Sequence, residues 1–192
     1  MSRSAADQEL TWEFVRRHLP DLPWTAVRYG IDRGYCGWPL AVGRAERELA
    51  VSDDQRVVDL AIADGSWEAL GLLPEISGPI SERADDEARR CWQFLVVAWV
   101  AEGRTEPGPD PAADGALRDE VLESVWAEFG HDPELSFCAP WMPLEPGEKP
   151  TDPTRPRWPQ IEPRVVAWLA REGAALRAAY PEPTPRGGAQ RP

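Results

Sequence analysis

Histidine and cysteine are scarce in this chain of 192 residues, which contains two histidines and three cysteines. With only His18 and His131 available, few sites could use an imidazole as a catalytic base or a metal ligand. The cysteines, Cys36, Cys91 and Cys138, are far apart, odd in number and form no C-x-x-C pair. Neither a disulfide framework nor a zinc site is therefore indicated, and a reducing cytoplasm is the expected compartment.

Long apolar runs and nucleotide-binding glycine motifs are missing as well. The longest apolar run, Phe94 to Ala101, is far below the ~20 residues that a membrane span needs. The N-terminal residues lack the apolar core of a signal peptide. Neither G-x-G-x-x-G nor G-x-x-x-x-G-K-S/T occurs in the chain. We therefore expect no membrane partner and no nucleotide cofactor.

Basic residues are outnumbered, with 21 lysines and arginines against 33 acidic residues and a net charge of -12. This balance disfavours binding to nucleic acid or anionic lipid and favours a basic protein partner. The excess is concentrated in residues 104–152, which hold twelve acidic and three basic residues. The candidate partner-binding residues in this segment are Asp119, Glu120, Glu123, Asp132 and Glu134. A purely solvating role for these carboxylates is the alternative.

Sustained period-2 alternation of β-branched residues is absent, whereas apolar residues recur at helical spacing over most of the first 130 positions. The pattern predicts an all-α fold, with a single compact multi-helix domain over residues 1–180 and a disordered tail over 181–192. Residues 82–102 carry the strongest helical pattern and are predicted to form the central, most buried helix.

Three details of the predicted helices depend on local signals. Ser52 and Gln55 have capping-box spacing, which predicts the start of a fourth helix. Trp67 to Leu73 is predicted as a short fifth helix that Pro74 breaks. Pro163 is predicted to start the C-terminal helix, because proline suits the first helical turn.

Proline and glycine interrupt the helical pattern in two places. Residues 104–113 are predicted to form a loop, and residues 139–163 an extended proline-rich arm within the domain. In the arm the prolines recur at intervals of three or four residues, which no helix or central strand tolerates. We expect the arm to pack on the helical body as a strap, and recognition by a proline-binding domain is the alternative.

The segment "EFGHDP", residues 128–133, has the most suggestive grouping of reactive side chains. Glu128 and His131 have the E-x-x-H spacing of di-iron carboxylate bundles, but such sites need the motif twice. His131 and Asp132 could form an acid–base pair, although adjacent residues rarely present their side chains to each other. We therefore predict no catalytic residue, no metal and no cofactor.

A turn that ends a helix explains the same segment better. Gly130 would adopt the left-handed conformation of a C-cap, and Pro133 would prevent the helix from continuing. The aromatic and apolar residues around the turn would then pack back onto the core, namely Phe129, Phe137, Trp141 and Met142.

Two stretches, "LPWTAVRYGIDRGY" and "VWAEFGHDPELSFCAPWMP", resemble the bacterial domain-of-unknown-function family 2247. The resemblance covers roughly residues 10–170. The residues that match the family pattern are Trp24, Tyr29, Gly30, Gly34, Phe129, Gly130, Glu134, Met142 and Pro143. Pro133 and Trp141 belong to the second stretch, and Trp141 stands where the family pattern has tyrosine.

The family has no established activity or cofactor, and some members have been proposed as immunity proteins of polymorphic toxin systems. The resemblance therefore implies a non-enzymatic, cytoplasmic protein that neutralises a cognate toxin, often a basic nuclease, by stoichiometric occlusion. A helical scaffold or regulatory protein-interaction module is the first alternative. A small enzyme centred on Glu128, His131 and Asp132 is the second.

Overall fold

A computed structural model describes residues 10–102, 111–139 and 158–182 of the chain. Within these ranges the chain forms eight α-helices and one 3-10 helix, and contains no β-strand, so the all-helical prediction is confirmed. The helices are α1 (Trp12–His18), α2 (Trp24–Asp32), α3 (Trp38–Glu48), α4 (Gln55–Ala61), α5 (Ser66–Ser77), α6 (Glu82–Ala101), α7 (Pro111–Glu128), the 3-10 helix η1 (Pro133–Cys138) and α8 (Trp158–Ala179).

The chain divides into two compact units, and the boundaries at 92/93 and 173/174 fall inside helices. The first unit comprises residues 8–92 and 174–192, and the second comprises residues 1–7 and 93–173. The boundaries therefore lie within α6 and within α8, so each of these helices contributes one part to each unit. The single domain predicted over 1–180 stays a prediction.

In the first unit, α3 packs against α1, α2, α4 and α5. Its buried face carries Leu40, Ala41 and Ala45, which recur at helical spacing. Two small alanines on this face allow the neighbouring helices to approach closely. The side chains of Leu22 and Leu60 are fully buried in the same unit.

In the second unit, the end of α6 is buried on every side. All residues from Gln93 to Val100 are buried, as expected for a helix that is apolar all round. From α7, Val121 and Val125 are buried, and from α8, Trp168 is buried with its ring 6.4 Å from that of Phe94. The predicted burial of the helix over 82–102 is thus observed in this half.

Two predicted helix boundaries in the first unit are wrong for identifiable reasons. α5 does not break at Pro74 but continues to Ser77, because Pro74 loses only its own N–H and its carbonyl still accepts from Gly78 N at 3.1 Å. α4 is capped by Asp54, not Ser52: the Asp54 side chain accepts from Arg56 N, and the Ser52 hydroxyl accepts from Asp54 N.

The described parts of the proline-rich segments are helical at 111–113 and 158–163, whereas Ala139 is an extended bend after η1. α7 begins at Pro111, inside the loop predicted over 104–113, and residues 103–110 lie outside the described residues. α8 begins at Trp158, before the predicted start at Pro163, so the end of the predicted arm 139–163 is helical. Residues 140–157, which hold most of that arm, lie outside the described residues, as do residues 183–192 of the predicted tail. No described helix is long and apolar enough to cross a membrane.

Candidate functional site

The turn after α7 has the hydrogen bonds of a Schellman motif. Gly130 has a φ of 86° and His131 a φ of 59°, so both residues are left-handed. The His131 N–H donates to the Trp126 carbonyl at 2.9 Å, and the Gly130 N–H donates to the Ala127 carbonyl at 3.3 Å. These bonds satisfy the last carbonyls of α7, which the helix itself leaves without donors.

The His131 side chain completes this motif. Its ring meets the Trp126 ring edge-on, with centroids 4.5 Å apart and planes at 89°. A contact between these two positions commonly accompanies a Schellman motif. Because His131 lies beyond the end of α7, it does not share a helix face with Glu128, so the E-x-x-H spacing does not place the two side chains on one helix face. Among the described residues, no three histidine, cysteine or acidic side chains are grouped to hold a metal.

Asp132 connects the turn to η1 and to α6. One carboxylate oxygen accepts from Glu134 N at 2.9 Å and so caps η1, while the other accepts from the Gln93 side chain at 3.2 Å. The Asp132 carbonyl accepts from the Trp126 indole N–H at 3.0 Å. Asp132 and His131 therefore make separate contacts within the turn and do not pair as an acid and a base.

The five candidate partner-binding residues occupy different environments. Asp132 is held by the contacts just described, and Glu134 accepts a hydrogen bond from Arg171 at 2.7 Å. Asp119 is half-buried, Glu123 is half-buried and Glu120 is exposed on α7. Asp132 is thus held by the fold, whereas Glu134 forms an exposed pair with Arg171. The candidates on the surface of α7 are Glu120, which is exposed, and Glu123, which is half-buried.

The first family stretch ends α2 with the same turn that ends α7. Gly34 has a φ of 78°, and its N–H donates to the Ile31 carbonyl at 3.1 Å. The Tyr35 N–H donates to the Gly30 carbonyl at 2.8 Å, which gives the second bond of a Schellman motif. The Tyr35 ring stacks on Tyr29, with centroids 6.4 Å apart, whereas the His131 ring meets Trp126 edge-on.

Gly30 provides room for the largest fully buried side chain of the first unit. A Cβ at Gly30 would lie 2.0 Å from Cζ2 of Trp92, so only glycine fits beside this ring. The Trp92 indole N–H donates to the Ala26 carbonyl at 2.6 Å, and its ring stacks on Tyr35 at 5.4 Å. The Tyr29, Gly30 and Gly34 positions of the family stretch therefore have packing and chain-reversal roles.

Trp24 belongs to a buried charge network that the sequence pattern did not predict. Arg44 is 6% exposed. Its side chain binds the Asp21 carboxylate at 2.8 Å, the Glu48 carboxylate at 2.7 Å and the Leu22 carbonyl at 3.0 Å. The Trp24 indole N–H donates to Glu48 at 2.9 Å, and its ring lies 5.1 Å from the guanidinium. The i, i+4 spacing of Arg44 and Glu48 was the available signal.

An open cleft of about 490 Å³ lies between α1 and α3 in the first unit. Most of its wall is apolar, and its acidic residues are Glu13 and Glu46. The Thr11 hydroxyl, which also lines the cleft, accepts from Phe14 N and caps α1. The side of the cleft formed by Trp12 and Gly43 is tightly packed, because a Cβ at Gly43 would lie 2.5 Å from the indole.

These observations define a helical protein in which the most distinctive residues end helices, fill the core or satisfy a buried arginine. The chain belongs to the family described as uncharacterised proteins conserved in bacteria (DUF2247), whose model matches residues 12–172. The resemblance found in the sequence is thereby confirmed. No curated protein and no solved structure matches the chain.

Proposed function

We propose that this chain is a non-enzymatic, cytoplasmic binding protein, and specifically an immunity protein that neutralises a basic toxin by occlusion. One toxin molecule would be covered by one molecule of this chain, with no chemical turnover. The His131 and Asp132 side chains are engaged in the turn after α7, which supports a structural role for the only grouping that suggested catalysis.

The observation that carries the proposal is the acidic surface of α7. Glu120 and Glu123 lie one turn apart on a helix of a chain whose net charge is -12. Two carboxylates at i, i+3 repel each other and lower helix stability, so this arrangement does not serve the fold. A concentrated negative surface accelerates encounter with a basic protein, which is the property that a toxin inhibitor needs.

The proposal predicts that a toxin domain is encoded beside this gene, and binding to that purified domain is the test. We expect tight one-to-one binding, with an association rate that falls as NaCl is raised from about 50 to about 300 mM, because salt screens steering. The double variant Glu120→Gln/Glu123→Gln should lower the association rate several-fold. Glu82→Gln/Glu162→Gln removes the same charge from two other exposed positions and serves as the matched control.

Two outcomes would count against the proposal in different ways. If the toxin domain binds this chain no more tightly than an unrelated protein of equal charge, the immunity function is wrong. If binding is specific but its rate is independent of salt, the acidic surface of α7 has no role in steering. An equal loss of rate in both double variants would assign steering to net charge and not to Glu120 and Glu123.

A further inference from the structure

The outer face of α5 is apolar and exposed. Trp67 is 92% exposed and Leu70 is 43% exposed, and both Gly71 and Pro74 are exposed on the same face. These four residues follow the i, i+3, i+4, i+7 spacing of one helical stripe. The opposite side of α5 buries Ala69 and Leu73 against the first unit, so the exposed stripe is a second apolar face.

Three residues of this stripe lower the stability of the free protein. Trp67 presents a large aromatic side chain to water, where it gains no burial. Gly71 is a poor helix former, and a Cβ built at this position would meet nothing within 4 Å, so no internal contact requires glycine. Pro74 lies inside the helix and cannot donate to the preceding turn. Such departures from local preference are concentrated at functional sites.

Gly71 leaves a gap in the row of exposed side chains on the α5 face. Trp67 and Leu70 lie on one side of it, and Pro74 lies one turn further along the helix. Because Gly71 has no side chain, an incoming group can reach the backbone of α5 between larger neighbours. Exposed aromatic residues beside such a gap are typical anchors of protein interfaces.

The edge of the stripe is acidic. Glu68 and Glu75 are both exposed. Glu68, Gly71 and Glu75 are spaced i, i+3 and i+7, so the two carboxylates lie along one edge of the apolar stripe. Arg56 is a base near this edge: it donates to the Glu75 carbonyl at 2.9 Å and pairs with the Asp54 carboxylate at 2.5 Å. This hydrogen bond from Arg56 lowers the pKa of Asp54, so the arginine charge is already engaged by an acid.

We propose that the α5 face, formed by Trp67, Leu70, Gly71 and Pro74, docks a basic amphipathic helix of a partner protein. Apolar side chains of that helix cover Trp67 and enter the gap at Gly71, while its lysines or arginines meet Glu68 and Glu75. This inference rests on the proposed binding function and adds the location and chemistry of one contact. A second copy of this chain fits less well, because it would bring like-charged carboxylates together.

The first test uses a helical peptide of leucine and lysine, about 18 residues long, as a defined probe. In the uniformly ¹⁵N-labelled full chain, the Trp67 indole N–H resonance is assigned by its loss in Trp67→Phe. We expect this resonance to shift during titration with the leucine–lysine peptide, and not with a leucine–glutamate peptide of equal length. Binding that shifts other indole resonances but leaves that of Trp67 unchanged would overturn the proposal.

The second test separates docking from folding. Gly71→Gln adds a neutral side chain that favours helix, so it should raise the thermal midpoint of the free protein while weakening peptide binding at least tenfold. Ala178→Gln makes a similar change at an exposed position of α8 in the same unit and should leave binding unchanged. Unchanged peptide affinity in Gly71→Gln would show that the gap is not used.

Failure of this inference can be told apart from failure of the proposed function. Native toxin affinity in both Gly71→Gln and Trp67→Ala would overturn docking at α5 and leave the immunity function intact. A chain that binds no toxin but binds the leucine–lysine peptide at Trp67 would overturn the immunity function and leave docking at α5 intact. Concentration-dependent dimers that disappear in Trp67→Ala, measured by sedimentation, would identify a second copy as the occupant and overturn the choice of a basic helix.

Discussion

Two helical glycines, Gly30 and Gly71, have opposite surroundings, so adding a side chain should have opposite effects on stability at the two positions. Gly30 faces the Trp92 ring, where an added Cβ would lie 2.0 Å from the nearest ring atom, whereas Gly71 faces open space. Glycine is needed at the first position because of packing. At the second it only weakens the helix, which is one reason why we assign it a role in binding.

Gly30→Ala is expected to destabilise the protein by about 1–3 kcal/mol, because the methyl group displaces a buried indole. Gly71→Ala should change stability in the other direction, by about 0.5–1 kcal/mol, since it adds helix propensity without a clash. Urea denaturation of the two variants and the parent measures both changes in the free energy of unfolding. Trp92→Phe combined with Gly30→Ala should cost less than the sum of the two single changes. A Gly30→Ala protein as stable as the parent would show that the helices separate freely at this point.

The buried Arg44 network gives a second prediction for a single residue. Arg44→Met should destabilise the protein by about 1–3 kcal/mol, because it leaves the partly exposed carboxylates of Asp21 and Glu48 without their cation. Arg83→Met is the control, since the Arg83–Glu87 pair lies on the surface and exposed pairs contribute little. Equal midpoints for the two variants in urea would show that the Arg44 network is not a stabilising element.

At the scale of elements, periodicity predicted the helices well because an apolar stripe at 3.6-residue spacing has few other solutions. Local signals were less informative. Pro74 suggested a helix end, yet α5 continues to Ser77, because the Pro74 carbonyl still accepts a hydrogen bond from Gly78 N. Ser52 had the spacing of an N-cap, but Asp54 caps α4, because its carboxylate accepts from both the backbone N–H and the side chain of Arg56. The Arg44 network and the exposed Trp67 depend on which faces meet, information that periodicity alone does not contain.

The turns after α2 and α7 are the clearest shared element of the two family stretches. Each has a left-handed glycine followed by a residue whose ring packs on the preceding helix. Gly130→Ala should cost about 1–2 kcal/mol, because an L-residue is strained in this conformation. His131→Asn should cost less, since asparagine tolerates a left-handed backbone and only the contact with Trp126 is lost.

Thermal unfolding followed by circular dichroism compares the two variants of the α7 turn with the parent. A larger loss in His131→Asn than in Gly130→Ala would contradict the structural account of the turn. The same His131→Asn protein tests the enzyme alternative, because it removes the imidazole while preserving the backbone. Full toxin neutralisation by this variant would show that His131 is not required for function.

At the scale of the whole molecule, excess negative charge links stability to recognition. A net charge of -12 opposes compaction through self-repulsion, and the same charge would attract the basic toxin that we propose as the partner. The Arg44 network is shielded from salt by burial, whereas exposed carboxylates are screened. Salt should therefore stabilise the free chain while it slows association with a basic toxin.

The double variant Glu120→Gln/Glu123→Gln tests whether repulsion between carboxylates lowers the stability of the free protein. Removing the repulsive i, i+3 pair is expected to stabilise the free protein by about 0.2–0.5 kcal/mol. Raising NaCl from about 20 to about 300 mM should increase the thermal midpoint of the parent more than that of the variant, because the variant has less repulsion to screen. Differential scanning calorimetry gives both quantities. A variant that is less stable than the parent at low salt would show that these carboxylates have favourable contacts in the fold. They would then be poor candidates for a surface held open for a partner.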